Sequence, residues 1–238
     1  MKEKAMASVK VIRIPVGYAN TFLVANGNRS ILIDTGLKNH ASYILSKLKR
    51  YGVEPSDVAL IIQTHTHFDH AGNTAELKAL TGAQVMVHEK EASCLAKGYT
   101  RIPNGAIAYT KFIASLGRKI YPGLAAYQAI EPDVIINEKF SLAEWDIDGY
   151  VLPTPGHTEG SISVVLENRM IIAGDCFFPV YRHSVFTPFC NDVPLLMKTW
   201  KLIFDLNIDE IYAGHGPKFL RERGLKCYQT KHARFKPV

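Results

Sequence analysis

The stretch Thr64-His65-Thr66-His67-Phe68-Asp69-His70-Ala71-Gly72 places three imidazoles and a carboxylate within six positions, directly after the apolar run at 59–62. An extended segment points alternate side chains the same way, so His65 and His67 can converge on one cation. Asp69 and His70 fall where the chain should turn into the next helix, and they offer ligands to a second cation beside the first. Burying four such groups together costs free energy unless they are paired or bound to metal. The chemistry open to such a centre is that of a divalent cation, which brings the pKa of bound water from about 15.7 to about 7 and polarises a carbonyl. No Ser-His-Asp arrangement is needed for that, and none is evident.

Three later segments each set one ligand-type residue beside a glycine: Pro155-Gly156-His157-Thr158, Ala173-Gly174-Asp175 and Ala213-Gly214-His215-Gly216. Asp175 and His215 follow apolar runs at 170–173 and 211–213, and His157 follows 150–152 after a Pro-Gly turn. With this ordered set the chain resembles the metallo-β-lactamase-fold superfamily over about residues 9 to 217, nearest to its glyoxalase-II and lactonase-like branches. The resemblance implies an α/β (α+β) protein built as a four-layer αββα sandwich, with metals along the rim between the sheets. It implies two divalent ions, one held by His65, His67 and His157, the other by Asp69, His70 and His215, with Asp175 bridging them. Zinc is the first choice, and iron or manganese also suit five imidazoles and two carboxylates. Asp69 and Asp175 are the implied catalytic carboxylates, Asp69 steering the nucleophile or holding its proton. Asp34, in Ile33-Asp34-Thr35-Gly36, resembles the family's aspartate that orients a ligand histidine and fixes its tautomer. Cys176 should point away from Asp175 and reads as a buried structural thiol.

The elements that must position these residues can be read from periodicity. Segments 9–14, 21–24 and 30–33 read as short strands, with Asn26-Gly27-Asn28 as a hairpin turn. Segment 39–51 has apolar residues at Ala41, Ile44, Leu45, Leu48 and Tyr51, a helical period closed by Gly52. Segment 58–62 is an apolar strand delivering the histidines. Asn73 then caps a helix through Leu80 that ends at Gly82, and 84–88 returns as a strand. In the second half 134–136, 140–142, 150–152, 161–166 and 170–173 read as strands. Segment 194–206 has helical spacing through Leu195, Leu196, Trp200, Ile203 and Phe204, and 211–213 closes the pattern.

Between the halves, about residues 92–130 lack alternation and contain Tyr99, Tyr109, Phe112, Tyr121 and Tyr127. One or two short helices are expected there, with breaks at Pro103-Asn104 and Pro122-Gly123. In the resembling family, insertions at this place lie over the metal site, so the segment is expected to act as a substrate-selecting lid. At 238 residues and 47% hydrophobic content, one domain over 1–238 accounts for the chain.

The net charge of +6 is unevenly placed. Segment 218–238 carries Lys218, Arg221, Arg223, Lys226, Lys231, Arg234 and Lys236 against Glu222, and is expected to form a basic tail, its last ten residues flexible. Lys97, Arg101, Lys111, Arg118 and Lys119 fall in the lid, where 92–130 holds no acid. Such local charge attracts anionic ligands. Four widely spaced cysteines without CxxC spacing form neither a zinc knuckle nor a disulfide framework, so a reducing cytoplasmic location is expected. Residues 1–15 lack the apolar core of a signal peptide. No run approaches the length of a membrane span, and no membrane partner is expected.

The expected substrate is a small molecule, an anionic ester, thioester or lactone. Phe178, Tyr181, Arg182 and His183, in the loop after Asp175, are the candidate substrate contacts. Lactonase members often carry a tyrosine at the position of Phe178, whereas Asp175-Cys176-Phe177-Phe178 looks more like glyoxalase-type thioesterases. One alternative is a phosphodiesterase or nuclease, whose basic, aromatic lid would contact phosphates and stack bases. No RNA-binding arm or second nuclease domain is visible, so nucleic acid is not the expected partner. Another is an iron-dependent oxygenase, but the flavodiiron type has a glutamate where His67 stands and a flavodoxin domain, both absent. A non-catalytic metal-binding protein would have little use for an intact two-metal ligand set. His40 reads as a surface residue at a helix start, and His88 as a core histidine at a strand end that could face the pocket. His232 is assigned no role, and nothing in the sequence specifies an oligomeric state.

Overall fold

Alternation along the strands sorts the apolar side chains into three separate layers, and those layers dictate the architecture. A computed structural model describes residues 9–26, 29–120 and 122–232. Strands β1 (Lys10–Val16), β2 (Ala19–Asn26), β3 (Arg29–Ile33), β4 (Val58–Ile62), β5 (Gln84–His88) and β6 (Val134–Ile136) form one six-stranded sheet in chain order. Its first three strands are antiparallel, and from β3 onward the pairings are parallel. The second six-stranded sheet holds β7 (Phe140–Ser141), β8 (Gly149–Pro153), β9 (Ile162–Leu166), β10 (Met170–Ile172), β11 (Glu210–Tyr212) and β12 (Phe219–Leu220). It is antiparallel except for the β10–β11 pair.

Ile31, Ile33, Leu60 and Ile62 face Ile162, Val164, Met170 and Ile172 in a core between the two sheets. The intervening residues Leu32 and Ile61 point the other way, onto α1 (Ala41–Arg50), α2 (Thr74–Thr81) and α3 (Glu89–Lys97) through Ile44, Leu48, Leu77 and Leu95. Val165 and Ile171 likewise pack on α5 (Val193–Asp205) through Leu196, Trp200, Ile203 and Phe204. Period-two alternation on strands buried on both faces thus produces the helix–sheet–sheet–helix stack. Each fully buried aliphatic side chain contributes roughly 1.5–3 kcal/mol.

Two further helices depart from the expected pattern. Segment 92–130 contains α4 (Ala108–Ile120), a helix of the kind expected there, and opens within α3, which begins directly after His88. The basic segment from Lys218 is no simple tail: β12 and α6 (Arg221–His232) occupy most of it, and α6 packs against α5. Residues 233–238 of that tail, Gly27-Asn28 of the hairpin turn, Tyr121 of the lid and the first eight residues of the N-terminal segment lie outside the described residues. Asn73 precedes α2, but its side chain does not cap that helix. It accepts from His40 N and donates to the carbonyls of Thr35 and Leu37, tying two loops together. Among the described residues, no helix is long and apolar enough to cross a membrane.

Candidate metal centre

Every ligand-type residue sits just beyond the carboxyl end of a strand. β4 runs into His65–His70, β8 into His157, β10 into Asp175 and β11 into His215. Asp175 lies in a tight turn at Gly174–Cys176, backed by the Trp200 indole N–H donating to the Cys176 carbonyl at 2.7 Å. Gly214 has to be glycine: a Cβ there would lie 2.3 Å from Asp175 Oδ1 and 2.6 Å from His70 Cε1.

Two buried carboxylates fix the histidine segment. Asp34, at the end of β3 with φ of 59°, accepts from Thr64 N at 2.7 Å, from Thr64 Oγ1 at 2.7 Å and from His70 Nδ1 at 2.8 Å. A non-glycine residue held at positive φ is strained, and here the strain accompanies three buried hydrogen bonds. Glu91, on α3, accepts from Thr66 N at 3.0 Å and from the Thr66 hydroxyl. That contact continues through Thr100 Oγ1 to the Tyr127 hydroxyl, at 2.8 Å per step.

The outward contacts of the imidazoles decide which nitrogen faces in. Thr64 Oγ1 gives its proton to Asp34, so it accepts from His65 Nδ1 at 3.1 Å and leaves His65 Nε2 with its lone pair. His157 Nδ1 lies 2.9 Å from the Phe189 carbonyl, and His215 Nδ1 lies 2.9 Å from that of Tyr18. With Nδ1 donating outward, each Nε2 presents a lone pair to the interior. His157 Nε2 meets His67 Nδ1 at 3.0 Å, and His70 Nε2 meets His215 Nε2 at 3.4 Å. Asp175 stands between the sets: its Oδ2 is 3.7 Å from His157 Nε2 and 3.3 Å from His215 Nε2, while its Oδ1 is 3.4 Å from His70 Nε2. Asp69 Oδ2 is 3.5 Å from His215 Nε2.

Ligand atoms of His65, His67 and His157 therefore lie within 4.8 Å of one another, as do those of Asp69, His70 and His215, and those of His65, His70 and Asp175. His65 Nε2, His67 Nε2 and Asp175 Oδ1 are buried without a hydrogen-bond partner. Lone pairs and carboxylates converging in a dry site demand positive charge. The ionisations say the same. Burial would depress His70 and His215, but the charges of Asp175 and neighbouring aspartates outweigh it and hold both rings above the usual histidine value. Burial would raise Asp175, yet His215 and His70 hold it well below the usual carboxylate range. Burial, reinforced by the adjacent rings, depresses His65 and His67, and burial depresses His157, keeping that set neutral. The donor set fits divalent cations.

Cys176 is not part of this cluster. Its fully buried Sγ donates to the Thr154 carbonyl, and burial pushes the thiol up to about 12. Phe178 lies beside His215, ring centroids 5.0 Å apart, and Tyr181 stands 6.0 Å from Phe178. Arg182 and His183 are elsewhere, in a groove of 690 Å³ against β12 and α6 whose walls include none of the ligand-type residues above. His88 precedes α3 and accepts from Lys90 N.

Two residues at the centre escape a reading of the sequence. Glu91 shares a helix face with Leu95, and its buried position would have been a signal had α3 been recognised. Tyr18, in the β1–β2 turn, stacks on His215 at 5.9 Å and 14°. Burial, then the charges of Asp69 and Asp175, push its hydroxyl above the ordinary tyrosine value. No sequence pattern marks it.

The sequence profile of the Metallo-beta-lactamase superfamily matches residues 14–215. A probable metallo-hydrolase of Methanocaldococcus jannaschii is 31% identical over 210 residues, which cover 84% of this chain and 89% of that protein. The acyl-coenzyme A thioesterase MBLAC2 of Homo sapiens is 29% identical over 172 residues, 67% of this chain and 58% of that longer protein. Among solved structures, the subclass B3 metallo-β-lactamase BJP-1 of Bradyrhizobium japonicum superposes with a TM-score of 0.68 at 21% identity, over 95% of this chain and 89% of that one. The fold, the convergent His/Asp cluster and these relatives make the protein a metal-binding hydrolase, and the chain belongs to the metallo-β-lactamase superfamily.

Proposed function

We propose that the protein hydrolyses a small anionic thioester, or a related ester or lactone, with two divalent cations, zinc in the first instance. The observation that carries this reading is Asp175, whose carboxylate lies within 3.7 Å of ring nitrogens from both ligand sets. His65, His67 and His157 would hold one cation, and Asp69, His70 and His215 the other. Bound there, the cations would supply Lewis acidity and a water acidified toward neutral pH.

The chain's own residues supply orientation and proton handling. Asp34 and Glu91 keep the histidine segment in place before any ligand arrives. Asp69, beside His215, is placed to orient the attacking water and hold its proton. The Tyr18 hydroxyl, kept protonated, can donate to a substrate oxygen entering over His215. Phe178, beside His215, and Tyr181 next to it would offer apolar contacts to the substrate. The preference for a thioester is supported by the named activity of MBLAC2. The preference for an anion is supported by the basic segment 92–130, which holds no acid and whose Arg101 backbone meets His67.

Elemental analysis of gently purified protein, paired with a hydrolysis screen, tests this. The panel holds thioesters, lactones, β-lactams and bis-p-nitrophenyl phosphate, each with and without added metal. The expected outcome is two zinc ions per chain and thioester turnover. Asp69→Ala should lower turnover by at least about a hundredfold with the fold intact. Turnover of the phosphodiester alone would replace the ester reading with a phosphodiesterase, and unchanged turnover in both Asp69→Ala and His215→Ala would remove the second cation.

A further inference from the structure

Helix α4 wears its apolar residues on the outside. Its buried residues are the small Thr110 and Ala114, with Gly117 half-buried one turn further on. Its large apolar residues Tyr109, Phe112, Ile113, Leu116 and Ile120 are all exposed, Tyr109 at 71% and Phe112 at 68%. Spacings of four, three and four from Tyr109 through Ile113 and Leu116 to Ile120 place them on one stripe, with Phe112 beside it. A core-facing helix would have the reverse arrangement, whereas here Tyr109 and Phe112 face solvent. An apolar stripe of this size on a surface helix marks an interaction site.

Charge says what covers it. Exposed Lys119 lies two turns from Phe112 along the same edge of the stripe, whereas Lys111 turns away from it onto the cavity wall shared with Arg118. Arg101, also exposed, belongs to the same segment, which has no acid from 92 to 130. Asp192, on the wall of the cavity that includes Lys111 and Arg118, is engaged in capping α5 through Leu195 N. A second copy of the chain fits poorly. Antiparallel pairing of two α4 stripes would set the Lys119 edge against its own copy, the other edge being packed on the body of the protein. An anionic lipid surface accepts both features, since apolar side chains enter the acyl boundary while Lys119 and Arg101 meet lipid phosphates and carboxylates.

We propose that α4 is a docking face by which this hydrolase attaches peripherally to anionic membranes. The helix is rigidly mounted for this. Arg118 Nη1 donates to the carbonyls of Ile102 and Pro103, and Ala106 N donates to Pro188 O in the loop whose Phe189 carbonyl holds His157. Attachment at the surface needs no spanning helix.

Co-sedimentation of the full chain with phosphatidylcholine vesicles, with and without phosphatidylserine, tests the proposal. The chain should pellet with the phosphatidylserine vesicles and be released as salt is added. Phe112→Ser with Leu116→Ser should weaken that binding at least about tenfold, because exposed apolar contacts are lost without disturbing the core. Arg101→Glu with Lys119→Glu should abolish the dependence on phosphatidylserine. Unchanged melting temperatures for both double variants show that they fold. No binding of the wild type to either vesicle overturns the proposal. So does light scattering that shows a dimer which Phe112→Ser dissociates, since the face would then belong to a second copy.

Discussion

Glu91 and Asp34 act on the histidine segment at different points, Asp34 through Thr64 and His70, Glu91 through Thr66. Replacing Glu91 by alanine strands a buried N–H and hydroxyl, at a cost of about 1–3 kcal/mol. Loss of such an outer partner typically lowers metal affinity about 10- to 100-fold. Glu91→Gln, which keeps one acceptor oxygen, should fall between the two. Chelator competition and urea melts separate the effects, and wild-type metal affinity in Glu91→Ala would show that Thr66 needs no anchor. The imidazoles carry a second expectation. His65, His67 and His157 are depressed below the ordinary histidine value, so near neutral pH they are already neutral and a cation taking their free lone pairs displaces no proton. His70 and His215 are raised, so in the metal-free protein they retain protons near neutrality that an incoming cation must expel. The stability those two rings add to the metal-free fold is complete below their ordinary value and lost as pH rises through the raised one. Affinity at the Asp69/His70/His215 set should therefore climb with pH through the neutral range, while that of the His65/His67/His157 set stays flat. Calorimetric titration in buffers of different ionisation enthalpy counts the released protons, and equal release for both cations would contradict the assignment.

Strands were the legible elements. Val58–Ile62, Gln84–His88 and Val134–Ile136 fall where runs of branched residues put them, and the ligand residues follow at the strand ends. Helix α3 was not legible because Glu89 follows His88 with no loop between them, and its buried face consists of Glu91 and Leu95 rather than an apolar stripe. Helix α6 was hidden by its own composition: alternating cations suggested a solvated tail, yet Leu225, Cys227 and Tyr228 pack on the α5 layer. Helix α4 lies between the expected breaks at Pro103-Asn104 and Pro122-Gly123, but without a clear period in the segment neither its bounds nor the face it exposes could be read. What periodicity does support is α5, where Trp200 is fully buried, stacks on Phe177 and holds the Cys176 carbonyl beside Asp175. Trp200→Ala should destabilise the fold by about 3–5 kcal/mol. It should also weaken metal binding, since the turn carrying Asp175 loses its backing. Trp200→Phe, which keeps the stack but not the hydrogen bond, separates packing from positioning. Wild-type affinity in Trp200→Phe would assign the indole a packing role only.

The ligands are divided between the two sheets: His65, His67, Asp69 and His70 follow β4 of the first, whereas His157, Asp175 and His215 follow strands of the second. Cations held by them would cross-link the rim of the sandwich. The sheets are already joined by the apolar layer containing Phe22, Leu60, Ile62, Val164 and Ile172. That layer does not depend on metal, so the metal-free protein should remain folded and melt cooperatively. Binding to the folded state alone adds about 4 kcal/mol per site when the free cation is a thousandfold above its dissociation constant. For a chain of this size each kcal/mol moves the midpoint by roughly 2–4 °C, so chelation should lower the melting temperature by roughly 10 °C or more. Restoring the cation should bring it back. Scanning calorimetry with chelator, and then with zinc returned, measures both arms. Asp175→Asn provides the discriminating variant, because it keeps the shape of the turn while removing the charge shared by the two sets. Its metal-free midpoint should stay near that of the metal-free wild type, whereas the increment on adding zinc should shrink by half or more. A full zinc increment in that variant would mean the cations bind to one sheet at a time, and the cross-link between the sheets would have to be abandoned.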